Sequence, residues 1–236
     1  MPDRFDLRGK VAVVTGGAGH SPPEVYGLPA CSRWTSEAAR LLIQVIVGTT
    51  RQGRFSDRVA RWVFGDLRAQ QGMDIELVDL RDYALPLFDA PSSPARSPRA
   101  YQTDEVARFG RVVDRADGYV VLTGEYNHGY PAVLKNAMDH TFVEWRRKPI
   151  AFVAWGNVGG ARAVEQLRQV AVEFEMAPLR HAVHILPDVF LAARQASDQE
   201  IASAFAPLKP RLDLLVADLV WWATALTDAR DREAGG

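Results

Sequence analysis

A chain of 236 residues, 47% of them hydrophobic and 24% charged, has an ordinary globular composition with room for one large domain, or for one domain and an appendage. Its formal net charge of -1 supplies no long-range attraction to nucleic acid or to an anionic membrane, which excludes both as expected partners. Cys31 is the only cysteine, so an intramolecular disulfide and a cysteine-based zinc site are ruled out, and a reducing, cytoplasmic location is expected.

The charged start from Met1 to Lys10 does not read as a secretory signal. No stretch approaches the ~20 apolar residues of a membrane helix. Asp213 and Asp218 interrupt the apolar region that carries Trp221 and Trp222, which reads as a packed amphipathic helix.

Two apolar, β-branched runs compete for the first strand. Lys10 to Thr15 is followed by Gly16-Gly17-Ala18-Gly19, but Pro22 and Pro23 then stop any helix. Ile43 to Gly48 is followed by a polar loop and by Ser56, an expected N-cap, with Val59, Trp62 and Val63 at helical spacing. Only this second unit is a complete strand-loop-helix. Residues 1–42 therefore read as an extension, and residues 43–230 as the domain.

Beyond it the alternation is regular. Ile75 to Leu80 is an expected strand, followed by a Pro-rich loop from Arg81 to Gln102 and a helix over Thr103 to Arg115. Gly118 to Thr123 reads as a buried strand. A polar loop to Tyr130 follows, then Pro131 at the first turn of a helix through His140. Ile150 to Trp155 is a strand, and Gly156 to Gly160 leads into a helix through Glu175. Leu179 to Leu186 is the last strand. Ser197 to Glu200 has the pattern of a capping box, opening a helical end to about Thr227 that breaks near Pro207 and Pro210. Strands alternating with helices predict an α/β fold with a parallel sheet covered on both faces.

Ligands of such sheets bind at the carboxyl ends of the strands. Three loops there carry suitable groups. Gly48 to Ser56 offers glycines at 48 and 53 for close approach, hydroxyls on Thr49, Thr50 and Ser56, charge on Arg51 and Arg54, and a helix start. That is an anion site, since helix N–H groups point at the ligand. It lacks the Lys-Ser/Thr ending of a nucleoside triphosphate loop. Gly124 to Pro131 sets aromatic and amide groups beside flexible backbone, suited to a planar ring. Trp155 to Gly160 is glycine-rich enough to approach a ligand edge.

The nine residues Gly-Thr-Thr-Arg-Gln-Gly-Arg-Phe-Ser at 48–56 are followed by Glu125-Tyr126-Asn127, Pro131 and Leu134-Lys135-Asn136-Ala137-Met138-Asp139. Glu144-Trp145, Lys148-Pro149, Gly159-Gly160 and Gln166-Leu167-Arg168 come next. In this order and spacing the chain, from about Ile43 to Pro187, resembles the NADPH-dependent FMN reductase family, which includes quinone and azo-dye reductases. The resemblance implies a flavodoxin-like three-layer fold, with a five-stranded parallel sheet in the order 2-1-3-4-5. It implies FMN as cofactor and NADPH or NADH as electron donor. Thr49, Arg51 and Ser56, with Gly53 in the same loop, match the phosphate contacts. Glu125, Tyr126 and Asn127 match the segment packed on the isoalloxazine, largely through backbone, and Gly156 and Gly159 the loop at its other edge. Gly124 stands where the family usually has proline.

The implied chemistry is hydride transfer from nicotinamide to flavin, then electron transfer to a quinone, azo, flavin or similar small acceptor, so no catalytic side chain is named. His128 is expected to line the pocket, and no metal site is expected at His181 and His184. The helix carrying Lys135 to Asp139, with Tyr130, Phe142 and Trp145 nearby, is implied to lie at the interface of a homodimer or homotetramer. The rival reading is a flavodoxin-like FMN-binding or regulatory protein without turnover. Residues Phe5 to Gly19 look like the opening of a short-chain dehydrogenase. That family's glycine spacing and Tyr-x-x-x-Lys are missing from this chain.

Overall fold

Apolar runs without polar interruption, bounded by turns, make strands that are buried on both faces. In the computed structural model, which describes residues 40–235, they build the centre of one sheet. The described chain runs β1 (Leu41–Val47), α1 (Ser56–Arg68), β2 (Met73–Asp79), α2 (Asp104–Asp114), β3 (Gly118–Gly124) and α3 (Ala132–Asp139). It continues through β4 (Pro149–Trp155), α4 (Ala161–Glu173), β5 (Ala177–Ile185), α5 (Pro187–Gln195), α6 (Ile201–Phe205) and α7 (Lys209–Ala234). The Lys10 to Thr15 run, the Gly16 to Gly19 turn and Cys31 lie outside the described residues.

All pairings are parallel, in the order β2-β1-β3-β4-β5, so the fold is the expected flavodoxin-like one. Every residue of β3 and β4 is buried. Their side chains alternate between two cores, as the two-residue period of a strand requires. Val120, Leu122, Ala151 and Val153 face α1 and α7, whereas Tyr119, Val121, Ile150 and Phe152 face α2, α3 and α4. Burying one such Val, Leu or Phe contributes about 1.5–3 kcal/mol.

Helix starts follow local chemistry with two corrections. Thr103 caps α2, its Oγ1 accepting from the N–H of Val106 at 3.2 Å. Ser56 is not the N-cap of α1: Phe55 is, and Ser56 is the first helical residue, with its hydroxyl turned inward. Ser197 to Glu200 forms a turn in which Glu200 accepts from both the N–H and the hydroxyl of Ser197, and the helix begins only at Ile201. A short 3-10 turn at Ala206–Leu208 is the break expected near Pro207, and α7 then runs on to Ala234. The sequence pattern did not announce α5. It is held by tertiary contacts, Phe190 lying 4.3 Å from the Phe55 ring and Ala193 fully buried.

Candidate functional site

In a parallel sheet the loops after β1, β3 and β4 leave from the same edge, and here they touch. Gly48 donates its N–H to the Leu122 carbonyl at 2.9 Å, so close that a Cβ at position 48 would sit 2.9 Å from that oxygen. Glu125 donates to the Trp155 carbonyl at 2.8 Å, and a Cβ on Gly156 would meet the Glu125 Cβ at 2.9 Å. The Arg51 guanidinium lies 5.3 Å from the centre of the Tyr126 ring, joining the first loop to the second.

The first loop is held from outside. Arg54, its side chain only 4% exposed, forms a two-point ion pair with Asp79 at the end of β2. It also reaches Asp57 and the Thr49 carbonyl. Arg81 takes the carbonyls of Thr50 and Arg51. Burial pulls the Arg54 pKa down, but the carboxylates of Asp79 and Asp57 outweigh it and hold the group above its ordinary value. Arg54 therefore braces the loop, and of the two loop arginines only Arg51 is left exposed for a ligand.

With three successive carbonyls anchored, the opposite side of the loop is donor-rich. Among the described residues, the backbone N–H groups of Thr49 to Gly53 and of Phe55 to Asp57 have no hydrogen-bond partner. Within the same loop the hydroxyls of Thr49 and Ser56, both fully buried, lie 2.6 Å apart. Gly53 adopts φ +58°, which glycine alone takes without cost. Unpaired N–H groups curling into a helix start are the donor set that a phosphate requires, so these residues fit one.

The second loop closes as a two-residue turn. Tyr126 and Gly129 exchange N–H to carbonyl bonds of 2.8 and 3.1 Å, with Asn127 at φ +49° and His128 at φ +76°. Positive φ at both centres defines a type I′ turn, for which asparagine is well suited. His128 is exposed, and its carbonyl accepts from Gln166. Glu125 turns its side chain, 6% exposed, away from the loop tip to pair with Arg162 at 2.8 Å, and it accepts from the Arg162 N–H at 3.2 Å. It thus caps α4, whose N-cap Gly160 has no side chain to do so. The departure at Gly124 also has a reason: a Cβ there would lie 3.0 Å from the Trp155 Nε1 and from the Tyr126 ring. The indole fills the space where a proline ring would stand.

In the third loop Gly159 has φ +65°, and its carbonyl meets His184 Nδ1 at 3.0 Å. The other recognised motifs lie elsewhere. Lys148, at the amino end of β4, donates to the carbonyls of Asp114 and Glu144, and burial pulls its pKa down to about 8. Glu144 accepts from the Tyr101 hydroxyl at 2.5 Å. Asn136 clamps the long loop through Pro86 and Phe88, both at 2.8 Å. That loop walls a cavity of about 460 Å³ with α2 and the segment His140 to Glu144 that follows α3, and none of the three strand-end loops lines it. Trp145 is buried in the core and Phe142 packs on Phe174, so Trp145 offers no surface to a partner subunit.

Fold and site together define a flavodoxin-like protein with a donor-rich loop after β1. The NADPH-dependent FMN reductase family profile matches residues 41–189, and the chain belongs to that family. It is 36% identical over 148 residues to an NAD(P)H-dependent FMN reductase of Schizosaccharomyces pombe, covering 62% of this chain and 74% of that protein. A quinone reductase of Pseudomonas putida is 26% identical over 187 residues, covering 76% and 93%. The NAD(P)H:acceptor oxidoreductase FerB of Paracoccus denitrificans shares the fold, with a TM-score of 0.52 at 18% identity over 75% of this chain and 98% of that one. The chain is accordingly an FMN- and NAD(P)H-dependent oxidoreductase.

Proposed function

We propose that the three loops hold FMN and that the enzyme passes electrons from NAD(P)H to a small acceptor such as a quinone. The observation that carries this is the donor-rich side of the Thr49 to Asp57 loop, with its outward carbonyls bound by Arg54 and Arg81. Thr49, Arg51, Gly53 and Ser56 serve the phosphate. Glu125, Tyr126 and Asn127 present backbone and the Tyr126 ring to the flavin, and Gly156 and Gly159 let backbone approach its far edge. Bound FMN supplies the redox chemistry, and the chain supplies position and electrostatics. A homodimer or homotetramer and a cytoplasmic location belong to the same reading. The first is tested by light scattering, and the second is in keeping with the single cysteine.

Purified protein should be yellow, or take up added FMN, and NADPH or NADH should bleach it without oxygen. Colourless protein that takes up no flavin would refute the reading. Arg51→Ala and Ser56→Ala should each weaken FMN binding by about 1–3 kcal/mol, as expected for a lost charge-assisted contact or for orphaning Thr49. Titration of flavin fluorescence checks this, and unchanged affinity in both rejects the phosphate assignment. Glu125→Gln should cost about 1–2 kcal/mol of stability through Arg162, yet leave FMN affinity within about threefold, since backbone makes the contact. A large loss of affinity at unchanged stability would place the carboxylate itself on the flavin.

A further inference from the structure

About half of the arginines of the described chain are matched with carboxylates, as in the pairs Arg99–Asp114, Arg115–Glu76, Arg146–Glu175 and Arg230–Asp117. Ten arginines among the described residues form no such pair, and three of them gather in one place. A groove of about 550 Å³ along the free edge of β5, between α4 and the start of α7, is lined by Arg168, Arg180 and Arg211 together with His181 and His184. None of the three arginines forms an ion pair with a carboxylate among the described residues. Asp218, the acidic group nearby, is hydrogen-bonded to His181 at 2.5 Å. Arg168 donates to the carbonyls of Leu179 and Arg180, which fixes its head at the strand edge while its charge stays unmatched.

The groove adjoins the proposed flavin site. His184 at its upper end is bonded to the Gly159 carbonyl, and a Cβ on Gly159 would lie 3.3 Å from Leu186, another lining residue. Arg180 lies four residues below, roughly 13 Å along the strand at ~3.3 Å per residue. A ligand lying in the groove thus has one end beside the third loop and the other among guanidinium groups. Guanidinium is the side chain suited to bidentate phosphate binding, and a phosphomonoester dianion gains more from several of them than a hydroxyl does.

We propose that this groove receives the phosphate groups of the dinucleotide electron donor, and that Arg168, Arg180 and Arg211 select the 2′-phosphate of NADPH over the 2′-hydroxyl of NADH. This rests on the reading of the chain as an NAD(P)H-dependent enzyme and goes beyond it by assigning donor preference to named residues. The probe is adenosine 2′,5′-bisphosphate, with AMP and inorganic phosphate as comparisons, titrated calorimetrically into the purified full chain. The bisphosphate should bind at least about tenfold more tightly than AMP, and its affinity should fall as salt rises. Arg180→Ser and Arg211→Ser should each weaken it about tenfold or more. Arg111→Ser, which removes an exposed arginine of α2 outside the groove, should leave it unchanged. Three results overturn the assignment: equal binding of bisphosphate and AMP, equal weakening by Arg111→Ser, or no binding at all. The last is expected if the charge merely guards the exposed edge of β5 against strand pairing. FMN uptake, read in the same samples, keeps the failures apart. Protein that binds FMN but not the bisphosphate loses only this inference, and protein that binds neither loses the functional reading as well.

Discussion

Arg54→Ala is expected to destabilise the fold by about 3 kcal/mol and to remove measurable FMN binding, although Arg54 faces away from the donor-rich side of the loop after β1. The side chain is 4% exposed and Asp79 19%, so the substitution leaves a carboxylate poorly solvated and without its two-point partner. Breaking a buried pair from one side costs more than the pair contributes, because the orphaned charge remains. The same guanidinium holds the Thr49 carbonyl, and without it the loop is free to turn that carbonyl toward the proposed phosphate site. The loss should depend on pH. Burial pushes the Asp79 carboxyl up, but Arg54 and the Arg81 N–H push harder, and its folded pKa lies below the usual carboxylate value. A group so depressed stabilises the fold fully above its unfolded pKa of about 4 and loses that contribution as pH falls through the folded value. Wild type and variant should therefore differ most near about pH 7, and the gap should narrow toward about pH 3. Urea unfolding at both pH values measures this, and a gap that stays constant with pH would mean that Asp79 is not the group left behind. Asp79→Asn, which removes the orphan charge while keeping the shape, should cost less than Arg54→Ala.

Arg54 also shows where sequence reading stopped. The nine-residue loop was legible as an anion site because glycine, hydroxyl and arginine crowd the end of an apolar run. Which arginine is left exposed was not legible, since the answer depends on Asp79, 25 residues away on a neighbouring strand. Ser56 was misread as a cap for a related reason. A serine before a helix has the same local pattern whether its hydroxyl meets a helix N–H or, as here, the hydroxyl of Thr49. The central strands were the opposite case. Gly118 to Thr123 and Ile150 to Trp155 are buried on both faces, so composition alone marks them and no partner need be known. Helix α5, nine residues long, is too short to be stable by itself and exists because Phe190 and Ala193 find the core. Glu125 stood between these cases. Its place in the loop was readable, but its role as the cap of α4 depended on Arg162.

Gly160→Ala is expected to cost about 3 kcal/mol or more and to weaken FMN binding, although nothing assigns Gly160 a contact with flavin. Gly160 sits at φ +72°, where any other residue pays about 1 kcal/mol. An added Cβ would lie 2.6 Å from the Ala154 Cβ and 2.9 Å from the Trp155 nitrogen. Both belong to β4, a fully buried strand paired on each side, so the strand cannot yield and the start of α4 must. Moving it displaces the Arg162 N–H from Glu125 and the Gly159 carbonyl from His184, which carries the strain into two of the three loops. Ala154→Gly removes the closest clash while leaving the backbone conformation and the Trp155 nitrogen as they are. The double variant should therefore be more stable than the sum of the single losses allows, by about 1 kcal/mol or more. Strictly additive losses in a double-mutant cycle would show that the clash with Ala154 is not the cause. Full recovery would show that the left-handed conformation costs nothing here, against the reason glycine is needed at the neck of this loop.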